Sequence, residues 1–308
     1  MEVQGAVDLW QRSVERRNLR YVTFIGDGDC KGHQAVVSSQ PYGPECSIAK
    51  EECVGHVQKR VGTRLRDLKK RLSSKKLDDG KPIGGVGRLP DRMVDLLQTY
   101  FGMAVRNNTG DLQKMARAAW ASLMHKVAFE DPAVRHRYCP EGASSWCGWQ
   151  QEKAGGDPYV PKDSIPVAVF GVLKPIWMQL TDKSLLSKCV RGATQNRNEA
   201  WNGMLWSICP KTNFGGVDVI ELCAALTTAR FNHGMGMCGA ILEETGIARG
   251  TYTACALQCE DDTRLSFAAR KSSEKARKAR KRRRRVRKGL EDEMQQVEGV
   301  VYGPGTAD

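Results

Sequence analysis

Residues 19–25 read LRYVTFI, and the next four, Gly26-Asp27-Gly28-Asp29, end that run on two acids. β-Branched and aromatic side chains fill the run, the composition of a buried strand, and glycine cuts it off. Upstream, apolar residues at Val3, Ala6, Val7, Trp10 and Val14 follow the helical period, which predicts an amphipathic helix over 3–17. Downstream come a short helix at 33–38, a Pro41-Tyr42-Gly43-Pro44 turn and a second short strand at 48–53. The order α-β-α-β predicts an α/β core.

Beyond the second strand the pattern changes to helix. Apolar residues at 54, 57, 61, 65, 68 and 72 form one stripe, and Lys59, Arg60, Arg64, Arg66, Lys69, Lys70 and Arg71 cover the other faces. Seven bases against one acid, Asp67, exceed what solubility needs and point to phosphate contact. Residues 77–90 (LDDGKPIGGVGRLP) form a Gly/Pro linker; their glycines lack the preceding strand and following Lys-Ser/Thr of a nucleotide-binding loop. Helices are then expected at 91–101, 112–127, 166–180 with a break at Pro175, 184–189, 199–208, 217–231 and 238–244. The expected class is α/β, predominantly helical overall.

The chain has 308 residues, 41% of them hydrophobic, which is too apolar for a wholly disordered polymer. Its longest apolar run, IPVAVFGVL at 165–173, is far short of the ~20 residues a bilayer span requires, so no membrane partner is expected. No hydrophobic leader opens the sequence, which predicts an intracellular protein. Eleven cysteines, an odd number, then read as thiols or metal ligands rather than a disulfide framework. Net charge is +13, and residues 264–288 alone hold fourteen Lys/Arg against one acid, Glu274. This tail, with Arg282, Arg283, Arg284 and Arg285 at its densest point, buries no core. It is expected to be disordered, or helical on a polyanion, and to serve nuclear import and DNA binding.

Four groups of residues could carry chemistry. Asp27, freed by glycine at a strand tip, could present an oxygen to Mg²⁺, although Asp-Gly is also ordinary turn chemistry. Cys53 and His56 form a Cys-x-x-His pair, half of a zinc site. Glu199 opens a helix after the polar hinge 194–198, either as a functional acid or as a first-turn carboxylate that favours the helix dipole. His125, His136, Cys139 and Cys147 supply two imidazoles and two thiols, enough for a closed tetrahedral Zn²⁺ site; buried free thiols are the alternative.

Several stretches carry a resemblance: YVTFIGDGD, KEECVGHVQKRVGTRLRDLKK, GRLPDRMVDLLQTYFGMAVRNN, HRYCPEGASSWCGW, RGATQNRNEAWNGMLWSICPKTNF and ARFNHG. Over roughly residues 1–250 the chain resembles the Mutator-like DDE transposases, whose catalytic domain has the ribonuclease H-like fold. The resemblance implies that Asp27 is the second catalytic carboxylate and Glu199 the third, holding two Mg²⁺ ions for DNA cleavage and strand transfer. It makes Cys53 and His56 the family's Cys-x-x-His signature, and it implies a nuclear protein with DNA as partner; oligomeric state is left open. The domain plan it implies is a first part of the ribonuclease H-like core at 1–56, a helical insertion with the zinc loop at 57–190, helices completing the core at 191–250 and a basic tail at 251–308. DNA contacts are expected from Lys59, Arg60, Arg64, Lys69, Lys70, Arg71 and the tail arginines. The family's first aspartate has no counterpart: Glu2, Asp8 and Glu15 all sit in helical sequence. The expectation is therefore a fragment of an enzyme or a domesticated, non-catalytic DNA-binding or adaptor descendant.

Overall fold

β1 (Thr23–Gly26) and β2 (Ala49–Glu52) pair in parallel, Thr23 opposite Ala49 and Gly26 opposite Glu52, with α3 (Lys31–Ser38) as the crossover between them. The computed structural model describes residues 2–28, 31–161, 164–280, 282, 283 and 286. Asp29, Arg284 and Arg285 lie outside the described residues. β1 is shorter than the 19–25 run because side chains take over the backbone before it. The Trp10 indole donates to the Tyr21 carbonyl at 2.7 Å, and the Tyr21 N–H donates to the Tyr42 hydroxyl at 2.8 Å. The expected 3–17 helix divides at Arg12 into α1 (Glu2–Gln11) and α2 (Ser13–Arg17), and Asn18 closes it in the left-handed conformation, φ 51°.

The chain forms two compact units, Met1–Arg197 and Asn198–Asp308. In the first, α4 (Val54–Arg71) packs against α5 (Asp91–Arg106), and α6 (Leu112–Met124), α9 (Val167–Leu180) and Leu186 of the short α10 (Lys183–Leu186) complete one core. The α4 stripe is as spaced in the sequence: Val54, Val57, Val61, Leu65 and Leu68 are buried. Two glycines let α4 and α5 approach, each facing a glutamine of the other helix, Gly62 at Gln98 and Gly102 at Gln58. Phe101 and Trp177 meet edge to face with centroids 5.7 Å apart, and the Trp177 indole donates to the Ala119 carbonyl at 2.9 Å.

Two expectations need correction here. Residues 77–90 are more than a linker: Ile83 and Leu89 are buried in the helical core, and Arg88 pairs with Asp79 at 2.5 Å beneath them. Pro175 does not break its helix, because it lies on the exposed face one turn after Gly171, where the carbonyl it deprives of a partner can turn to water.

The second unit contains most of α11 (Asn196–Ile208), then α12 (Val217–His233), α13 (Gly236–Glu244) and α14 (Thr251–Ser272). Asp261 on α14 accepts from the Met235 N–H at 2.8 Å and fixes the Gly234 turn, φ 75°, between α12 and α13. The chain is helical again over 274–280. Its Ala, Lys and Arg favour helix, and Glu274 pairs with Lys278 at 2.8 Å one turn on. The fold is predominantly helical, with a small sheet among the described residues, and no helix among them is long and apolar enough to cross a membrane.

Candidate metal centre

α6 ends on a cap from His125, and α7 (Pro132–His136) ends on His136; Asp131 caps α7 by accepting from the Ala133 N–H at 2.8 Å. A turn closed by Cys139 N–H to the His136 carbonyl, 2.9 Å, brings the first thiol round. The loop to Cys147 is polar, and its own side chains hold it. The Ser145 hydroxyl donates to the Pro140 carbonyl at 2.6 Å and accepts from the Cys147 N–H at 3.0 Å, while the Gln151 amide grips the Ser145 carbonyl at 2.6 Å. Cys147 then caps α8 (Gly148–Lys153).

The result is one cluster. Ligand atoms of His125, His136, Cys139 and Cys147 lie within 4.8 Å of one another, and all but His125 are buried. The Cys139 sulfur is 3.6 Å from His125 Nδ1 and 3.8 Å from His136 Nδ1; the Cys147 sulfur is 3.6 and 3.3 Å from the same atoms. A tetrahedral zinc ion with Zn–S ~2.3 Å and Zn–N ~2.0 Å has N···S edges of about 3.5 Å. The four N···S separations therefore suit a tetrahedral metal ion.

The surroundings favour metal ligands over charged side chains. Burial and the nearby His136 pull His125 down to about 3, and burial pulls His136 down to about 4, so both imidazoles are neutral near pH 7. Burial and the adjacent Cys147 push the Cys139 thiol up, so without a cation it keeps its proton. A bound cation reverses that preference by stabilising thiolates. Sequence reasoning missed the shell around the ligands. The Tyr159 hydroxyl lies 3.4 Å from His125 Nε2, Trp149 stacks on His136 at 4.9 Å, and Arg135 donates to the His125 carbonyl at 2.9 Å. Such partners fix imidazole orientation. Gly148 was the available signal: a Cβ there would run into the Tyr159 ring.

The strand tips form a second constellation. Asp27 is exposed at the end of β1, and its carbonyl accepts from Arg60 Nη2 at 2.7 Å. The same nitrogen lies 2.5 Å from Glu52 Oε2 on the neighbouring strand. Cys53 is buried as the cap of α4 and its sulfur accepts from the Gln195 N–H at 3.4 Å, while the Gln195 amide donates to the Ile25 carbonyl at 3.1 Å. Cys53 thus ties the segment before α11 to the strand ends. His56 is half-buried in the first turn of α4. Among the described residues, the group of three or more candidate ligands is the His125 cluster, and Cys53 and His56 are not in it. Glu199 lies in the second unit, exposed in the first turn of α11.

The basic face of α4 is partly engaged within the fold. Arg66 pairs with Asp95 at 2.5 Å, Lys69 with Asp91 at 2.9 Å, and Arg64 donates to Gln179 at 3.1 Å. Lys59, Lys70 and Arg71 are exposed, as are Lys75, Lys76, Arg282 and Arg283.

No curated protein and no solved structure matches the chain. The family model of the Mutator-like transposases matches residues 1–147, a span that holds Asp27, Cys53, His56 and all four residues of the His/Cys cluster and leaves Glu199 outside. Residues 1–147, just under half of the chain, are therefore similar to the Mutator-like transposase domain.

Proposed function

We propose that this chain is a nuclear, DNA-binding member of the transposase group whose Asp27 and Glu199 supply two carboxylates to a Mg²⁺ pair, and whose His/Cys cluster holds a structural Zn²⁺. The observation that carries this reading is the family match across a span in which Asp27 stands exposed at a strand tip. Two Mg²⁺ ions would supply an activated attacking oxygen and a stabilised leaving oxygen, which requires three or so acids around ions ~4 Å apart. The 308 residues offer two that map onto that set. On this reading the chain acts as a DNA binder, the role a domesticated or adaptor descendant would keep.

Exposed bases support the DNA half of the reading. Lys70, Arg71, Lys75 and Lys76 cluster where α4 ends, and the 264–288 run adds the densest charge in the sequence. The test is duplex affinity of the full chain against salt. Log K should fall with log[salt] by ~0.9 per phosphate contact, and truncation after Ser272 should flatten that slope. Plasmid nicking with Mg²⁺ should be undetectable for this chain. A salt-independent affinity would reject the DNA-binding reading, and efficient nicking would reject the two-acid account.

A further inference from the structure

Arg60 belongs by sequence to the basic face of α4, yet its surroundings are unlike those of a phosphate-contacting arginine. Its Nη2 donates to the Asp27 carbonyl at 2.7 Å and pairs with Glu52 at 2.5 Å. Glu52 has only 6% of its side chain exposed, and its other oxygen faces Lys50, 7% exposed, at 3.8 Å. Breaking such a pair from one side leaves a buried charge without its main partner, so Arg60 is not available to exchange Glu52 for a phosphate. Gly28 completes the arrangement. It sits at φ +112°, and the guanidinium occupies the space a Cβ there would need.

Resting on the reading of Asp27 as a metal ligand, we propose that Arg60, locked by Glu52, is a positioning residue that clamps the Gly26-Asp27-Gly28 turn and so aims the Asp27 carboxylate. Parallel pairing makes this work. Gly26 is in register with Glu52, so the two strands end side by side, and Arg60 spans both ends from α4. A carboxylate on an unclamped Asp-Gly turn samples many orientations, and a cation would then have to order it at the cost of affinity.

The test is Mn²⁺ titration of the full chain followed by electron paramagnetic resonance, with Zn²⁺ supplied beforehand to fill the His/Cys cluster. Hydrogen exchange over residues 23–28 and the thermal midpoint are read on the same samples. Asp27→Asn should abolish the Mn²⁺ site. Arg60→Gln should weaken it about tenfold and speed exchange at the turn, Arg60→Lys should recover part of the loss, and Lys174→Gln, an exposed base on α9, should behave as wild type. If Arg60→Gln unfolds the chain, Arg60→Gln combined with Glu52→Gln removes both charges of the pair and should show the same tenfold loss with a near-normal midpoint. Unchanged Mn²⁺ binding in Asp27→Asn overturns the metal reading itself. Loss in Asp27→Asn with wild-type binding and exchange in the folded Arg60 variants overturns the clamp and leaves the metal reading standing.

Discussion

Replacing Cys147 by serine removes one corner of the tetrahedron while keeping size and burial nearly constant. Cys147 is fully buried, and its sulfur lies 3.3 Å from His136 Nδ1 and 3.6 Å from His125 Nδ1. In the metal-free protein the substitution exchanges one small polar group for another, so the change should stay within ~1–2 kcal/mol. With zinc the comparison differs. A ligand at a thousandfold its Kd stabilises the folded state by about 4.1 kcal/mol. For a unit the size of residues 1–197, each kcal/mol moves the midpoint by about 2–4 °C, so wild type should gain about 8–16 °C from zinc. Cys147→Ser should gain only a small part of that. The assay is thermal melting of both proteins in zinc and in EDTA, with bound metal counted by mass spectrometry. Cys189→Ser, equally buried but outside the cluster, provides the comparison and should shift equally in both buffers. A gap between wild type and Cys147→Ser that is the same in zinc and EDTA would refute the metal centre.

Three further outcomes are expected. Burial holds His125 near about 3 and His136 near about 4, both below 6.5. The unfolded chain therefore takes up protons first, and the zinc-free fold should lose stability as pH falls from ~6.5 toward the depressed values; midpoints in EDTA that do not move over that range would contradict the burial of the pair. Phe101→Ala removes a fully buried ring from between α5 and α9 and should cost about 3–5 kcal/mol by denaturant titration, whereas less than ~1 kcal/mol would mean the two helices do not pack there. Neutralising Lys70, Arg71, Lys75 and Lys76 together should reduce the salt slope of DNA binding by about 0.9 for each phosphate they neutralise in the wild type, and an unchanged slope would move the interface elsewhere.

The sequence shows local chemistry more clearly than partnership. The α4 stripe was legible because a helix buries one face, and the spacing of Val57, Val61, Leu65 and Leu68 names that face without tertiary information. The four residues of the His/Cys cluster were legible because candidate metal sites draw on few residue types. Strand length was not: whether Tyr21 joins the ladder depends on Trp10 and Tyr42, which reach its backbone from elsewhere in the fold. Ile83 and Leu89 looked like linker because glycine and proline dominate residues 77–90, while burial depends on what the loop lies against. Arg60 shows the same limit in charge. Its side chain is indistinguishable in sequence from Arg64 or Lys70, and only the register of two strands puts Glu52 and the Asp27 carbonyl within its reach. Glu52 itself was the overlooked signal, an acid inside the expected 48–53 strand, which needs a cation beside it once the fold buries it.

The proposed function requires Asp27 and Glu199 to hold the same cations. Exchanging Mg²⁺ for Fe²⁺ in the zinc-filled full chain and starting hydroxyl-radical chemistry with ascorbate and peroxide cuts the backbone where the metal sits. Paired cuts near residues 27 and 199, suppressed by excess Mg²⁺ and abolished together in Asp27→Asn, are the predicted result. Cuts at one position alone, or at neither, would contradict it.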